Sequence, residues 1–140
     1  MEKEFRVLET PVTAMMVMHN LLFGDNFCDL ICVMLKGITF VSSCTFSNDI
    51  ESLCTTYRPD LLIMDLKEIN YRGGLPLMEL FAAKYKGVRM IGVTSTFDGQ
   101  MAEKLLKIGV QGYIHRDQNI HEMIGIIVRV CMGEITIETT

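Results

Sequence analysis

The stretch that decides the fold is RPDLLIMDL, residues 58–66. Its apolar residues Leu61, Leu62, Ile63 and Met64 run without polar alternation into a lone carboxylate, Asp65. An unbroken apolar run of this length fits a strand covered on both faces, as in a parallel sheet sandwiched between helices. An acid closing such a strand stands at the carboxyl rim of the sheet, where α/β folds place their ligands and chemistry.

Runs of the same kind recur at AMMVM (14–18), ITFVS (38–42), MIGVT (90–94) and GYIH (112–115). Helix-like segments separate them. DNFCDLICVML carries Phe27, Leu30, Ile31, Met34 and Leu35 at helical spacing behind Asp25 as cap, with Gly37 as a stop. SNDIESLCTTY, LPLMELFAAKY and DGQMAEKLLKIG repeat the pattern, the last ended by Gly109. NIHEMIGIIVRVCMG begins with Asn119 and has Glu122 three residues on, close to a capping box, and ends at Gly133. Five strand-helix units in this order predict an α/β fold: a flavodoxin-like, doubly wound, five-stranded parallel sheet. The domain is expected over residues 14–133. An extension, residues 1–13, precedes it with a weak strand signal at Phe5 to Leu8, and residues 134–140 form a tail or the start of a linker.

A chain of 140 residues is the size of one domain with a core of its own. Its 17 acidic against 13 basic residues give no global basic surface, so DNA contact is expected only through a domain outside this chain. The five cysteines form no C-x-x-C pair; Cys28 and Cys32, one helical turn apart, are read as core residues, and a reducing cytoplasm is the expected compartment. The start MEKEFRVLETPV lacks a signal-peptide run, and no stretch reaches the roughly 20 apolar residues of a membrane span.

Residues just past the strand ends share one rim: His19 and Asn20, Asp65, Thr94 with Ser95, and Arg116. An acid after the third strand, a hydroxyl after the fourth and a base after the fifth resemble the receiver domain of bacterial two-component response regulators. The spacing is nearest the LuxR/NarL-type subfamily, whose receivers precede a helix-turn-helix. The resemblance covers residues 14 to about 137 and is carried by RPDLLIMDL, by LLKIGVQGYIHRD (105–117) and by MGEITI (132–137). It implies Asp65 as phosphoacceptor, Thr94 and Tyr113 as switch residues, Arg116 in place of an invariant lysine, and a histidine kinase or another regulator as partner.

The departures from that pattern carry as much information. Family members end the first strand in two adjacent acids that hold Mg²⁺; His19 and Asn20 stand there in this chain. An alternative register with FRVLE (5–9) as first strand puts Pro11 and Val12 there and restores neither acid. Mg²⁺ demands hard oxygen ligands, and each lost carboxylate removes about 4 kcal/mol of attraction at ~4 Å and an effective dielectric of ~20, before desolvation. Mg²⁺ is therefore not expected, and without it phosphoryl transfer to Asp65 is expected to fail. Guanidinium forms planar bidentate pairs with carboxylate, so Arg116 is expected to pair with Asp65, assisted by the Asn20 amide.

In the last helix, Ile120, Met123, Ile124, Ile127 and Cys131 make one stripe, and Ile126, Val128 and Val130 extend apolar character around the rest. Only one side can meet the sheet. A homodimer through this helix is therefore expected, with Ile126 and Val130 in the interface; cover by the N-terminal arm or a downstream segment is the alternative. The leading expectation is a non-enzymatic, metal-free receiver that regulates by dimerisation, the N-terminal part of a transcription regulator. A conventional receiver phosphorylated on Asp65 is the first alternative. A flavodoxin-like ligand binder or enzyme using the same rim is the second, with TSTFDGQ (94–100) as a faint phosphate or flavin loop.

Overall fold

The computed structural model describes residues 6–67 and 74–138. Ten elements alternate: β1 (Arg6–Val17), α1 (Leu21–Met34), β2 (Leu35–Cys44), α2 (Ile50–Tyr57), β3 (Leu61–Asp65), α3 (Gly74–Lys84), β4 (Arg89–Thr94), α4 (Gly99–Ile108), β5 (Gly112–His115) and α5 (Ile120–Cys131). The strands form one sheet in the order β2-β1-β3-β4-β5, all neighbours parallel. This is the doubly wound arrangement that the alternation predicts.

Period-2 side-chain direction divides the core in two. Ala14, Met16, Leu61, Ile63, Ile91, Val93 and Ile114 face a cluster completed by α1 and α5. Met15, Val17, Leu62, Met64, Met90 and Tyr113 face a second cluster completed by α2, α3 and α4. Every residue of β3 is buried, which is why its sequence shows no polar alternation. At Gly112 a Cβ would stand 2.8 Å from both Ile91 Cγ1 and Val130 Cγ2. Glycine there lets α5 lie directly on β5.

Three boundaries differ from the sequence reading. Residues 6–13, expected as an extension, are the beginning of β1, paired with β2 from Arg6↔Leu35 through a shift between Val7 and Val12. β1 reaches past β3, whose pairing starts only at Ala14↔Leu61. α1 starts at Leu21, not behind Asp25, because Asn20 caps it: its Oδ1 accepts the Phe23 N–H at 3.0 Å. Gly37 does not stop that helix either; α1 runs directly into β2, and Gly37 sits within β2 at φ +99° against Leu8.

The long β1 also changes the reading of α5. Ile126 and Val130, expected in a dimer interface, are 6% and 0% exposed within the chain. They belong to the same cluster as Leu8, Val12, Leu35 and Ile38 from the paired β1 and β2, so the arm supplies the cover that a second copy was expected to give. The capping box at Asn119 and Glu122 is present as read. Past α5 the tail returns: Thr136 bridges to Gly112 in parallel, and its N–H donates to the Gln111 carbonyl at 2.6 Å.

Burial keeps the thiols neutral. Cys28 is pushed up to about 12, and Cys54 and Cys131 to about 11, in each case chiefly by desolvation. No helix among the described residues is long and apolar enough to cross a membrane.

Candidate functional site

Strand ends β1, β3, β4 and β5 bring the rim residues to one edge. Asp65 is only 6% exposed, yet it is not short of partners. Its Oδ1 accepts the Lys67 N–H at 2.9 Å and its Oδ2 the His19 N–H at 3.4 Å. Backbone amides thus meet the buried carboxyl group from two sides.

His19 bridges the loops around that carboxylate. Its Nε2–H donates to the Lys67 carbonyl, and its ring lies 4.5 Å from the Phe46 ring at 36°. One imidazole therefore joins the β1–α1, β2–α2 and β3–α3 connections. Phe46 and the Lys67 carbonyl had no signal in the sequence beyond lying just past strand ends, since a backbone acceptor carries no residue identity.

Arg116 does not pair with Asp65. Its guanidinium carbon sits 3.8 Å from the centre of the Phe23 ring, and the side chain is exposed. Among the described residues no carboxylate forms an ion pair with it. The reason lies in the cap: Asn20 fixes the first turn of α1, which presents the Phe23 face to the rim. The Asn20 side chain is engaged in this cap, and the hydrogen bonds to Asp65 come from the His19 and Lys67 backbone N–H groups rather than from the Asn20 amide as expected.

A second group gathers at the β4 and β5 ends. Tyr113 is 4% exposed, and its Oη lies 3.1 Å from Thr94 Oγ1. The Asp98 N–H donates to Tyr113 Oη at 3.0 Å, and the Thr94 hydroxyl donates to the Thr96 carbonyl at 2.9 Å. The single Thr94 proton serves either the Thr96 carbonyl or Tyr113 Oη, so the network centres on Tyr113 Oη, which accepts the Asp98 N–H as well. It ties the β4–α4 loop to β5. Ser95, beside Thr94, is exposed.

The oxygen donors do not match a hard divalent cation. Asp65 is the one carboxylate on the described rim, both of its oxygens are engaged, and an imidazole fills the neighbouring position. Among the described residues no group of three or more His, Cys, Asp or Glu side chains is placed to hold a metal ion. Mg²⁺ requires near-octahedral oxygen ligation, and this set does not fit it.

No protein-family model matches the chain, and no curated protein matches it. Solved structures do. A LuxR-family two-component response regulator from Aurantimonas sp. SI85-9A1 is similar over 91% of this chain and 90% of its own, at 19% identity and a TM-score of 0.82. The isolated receiver domain of RcsB from Salmonella enterica serovar Typhimurium, in the presence of phosphomimetic BeF3-, is similar over 93% and 96% at 12% identity, TM-score 0.81. A longer RcsB chain, seen as dimers bound to DNA, is matched over 93% of this chain and 65% of its own at 12% identity, TM-score 0.81. At these identities the likeness is one of fold: the chain has the receiver fold.

Proposed function

We propose that this chain is a receiver domain in which the metal-dependent phosphorylation site has been rebuilt as a fixed, ion-free rim. It signals by assembly, within a cytoplasmic bacterial transcription regulator whose DNA contacts come from a helix-turn-helix beyond residue 140. The observation that carries this reading is the environment of Asp65: its oxygens are held by the His19 and Lys67 amides, and the His19 ring bridges to Phe46 and the Lys67 carbonyl. Phosphoryl transfer to a carboxylate needs a cation to neutralise oxygens on donor and acceptor, and the rim offers no adequate donor set for one. The protein is no enzyme in this reading and takes no cofactor.

Assembly requires a surface other than the one expected from α5. α1 leaves Leu22 70% and Val33 64% exposed, one above the other along the helix. Leu30 joins Phe27, Ile120 and Met123 in a shallow apolar groove between α1 and α5. A homodimer through this face follows, and the DNA-bound dimers of RcsB show that the fold supports a dimeric regulator in that protein.

Incubation with a small phosphodonor and Mg²⁺, followed by intact mass, tests the first half of the proposal. An unmodified chain is the expected outcome, and stable acyl phosphate on Asp65 formed at the rate of ordinary receivers would overturn it. Sedimentation at micromolar concentration without phosphodonor tests the second: a dimer is expected, and Leu22→Ser with Val33→Ser should give a monomer. The conventional reading is favoured by one observation, the Thr94–Tyr113 contact at the two switch positions, and the mass experiment separates the readings.

A further inference from the structure

On the flank of β5, beside the Thr94–Tyr113 corner of the rim, a cleft of about 260 Å³ opens between β5, α5 and the returning tail. Phe97 and His115 form one wall, their rings edge to face at 5.7 Å, with Tyr113 beside Phe97 at 6.1 Å. His115 Nδ1 is buried without a hydrogen-bond partner, and its nearest carboxylate oxygen, on Asp117, is 4.0 Å away. Arg129 lines the cleft beside Gly125, and Arg6 lies next to Gly125 outside the lining. At Gly125 the point where a Cβ would stand is 3.8 Å from an Arg129 terminal nitrogen and 3.9 Å from one of Arg6.

Two guanidiniums therefore flank a single vacant spot on the backbone of α5. Among the described residues neither forms an ion pair with a carboxylate. Arg129 is held by its Nε–H donating to the Gly125 carbonyl at 3.2 Å, which leaves its terminal nitrogens free to face outward. Like charges brought together in this way are unfavourable unless an anion sits between them. Guanidinium suits an oxyanion, with several donors in a planar fork.

We propose that this cleft binds a small aromatic anion, with its oxyanion over Gly125 between Arg129 and Arg6 and its ring against Phe97 and His115. The volume sits at the low end of small-molecule sites, which run from about 300 Å³ upward, so it admits one ring system and one anionic group. A partner for the His115 nitrogen would come from the ligand after a small turn of the ring. Two carboxylates also line the cleft: Glu122, which accepts from the Asn119 N–H in the capping box, and Glu138 of the tail. Glu138 competes with the ligand, and its removal should tighten binding.

The site is independent of how Asp65 is read, but it reaches the same machinery. Its wall residue Tyr113 carries the hydroxyl that ties the β4–α4 loop to Thr94, and its floor includes Thr136 of the tail. A ligand seated there contacts both Tyr113 and the returning tail.

The test uses the full 140-residue chain, followed by backbone amide NMR during titration with phenyl phosphate, salicylate and inorganic phosphate. Saturable shifts at Gly125, His115 and Thr136 are expected with at least one aromatic anion at millimolar concentration or below, and whichever of the two binds identifies the oxyanion. Arg129→Gln and Arg6→Gln should each weaken binding about tenfold, as expected for loss of a charge-assisted bond. Gly125→Ala should do the same by filling the spot. It introduces only ordinary van der Waals contacts and a better helix former, so the variant keeps its fold. Absence of saturable shifts with both aromatic anions overturns the proposal. So does equal binding of inorganic phosphate, or binding unaffected by Gly125→Ala and Arg129→Gln.

Discussion

Two corners of one rim are built differently. Around Asp65 the corner is held by backbone amides and an imidazole bridge, and the Arg116 guanidinium stacks on Phe23. At the β4–β5 corner, Thr94 and Tyr113 remain in contact and hold the β4–α4 loop. The first corner gathers polar groups of three loops around one buried carboxylate. The second depends on packing and hydrogen bonds within the chain, which stabilise the fold whether or not any chemistry occurs nearby.

The largest effect should come from reversing the first corner. His19→Asp with Asn20→Asp returns two carboxylates next to Asp65, each adding about 4 kcal/mol of attraction for a cation at ~4 Å and an effective dielectric of ~20, before desolvation. The second change is gentle on the fold, because Asp caps a helix as well as Asn does and α1 keeps its start. Mg²⁺ affinity by calorimetry should rise from undetectable to measurable. A double variant that stays blind to Mg²⁺ would show that the backbone of the rim, not its side chains, had been remodelled.

The second corner should answer to stability instead. Tyr113→Ala removes a buried ring from the α2–α3–α4 side of the core and should cost about 3–5 kcal/mol in urea unfolding. Asp65→Ala should cost less, about 1–3 kcal/mol, because it takes the acceptor from the part-buried His19 and Lys67 N–H groups. Asp65→Asn keeps one acceptor oxygen and should fall between wild type and Ala. If Asp65→Asn were instead more stable than wild type, the carboxylate would be a charge held waiting for an ion, and the contrast between the corners would collapse.

What could be read in the sequence follows the same line. The unbroken apolar runs marked strands, covered on both faces in β3 but not in the edge strand β2, and the Asn119–Glu122 spacing marked a true capping box, because periodicity and capping are local. The extent of β1 was hidden: TP at residues 10–11 and the polar residues around it read as an extension, and only pairing with β2 makes that segment a strand. That misreading produced another. With the arm left outside the sheet, Ile126 and Val130 looked uncovered, whereas Leu8 and Val12 share their cluster. His19, Asp65, Thr94 and Arg116 were placed on one rim correctly by topology, but their partners were not legible. The choice between Asp65 and Phe23 as the companion of Arg116 is made by tertiary geometry and by amides that any residue possesses.

That choice gives the smallest and sharpest measurement. An exposed guanidinium over a phenyl ring is worth about 0.5–1 kcal/mol. A double-mutant cycle between Arg116→Gln and Phe23→Leu should recover a coupling of that size, since the two groups touch at 3.8 Å. A parallel cycle between Arg116→Gln and Asp65→Asn should give a coupling near zero, as expected for groups that share no contact. Phe23 and Asp65 thus compete for the same cation on paper, and the two couplings state which one holds it in solution. Should the Asp65 coupling prove the larger, Arg116 would be acting as the built-in counter-ion of the rim, and the stack on Phe23 would be its resting place only.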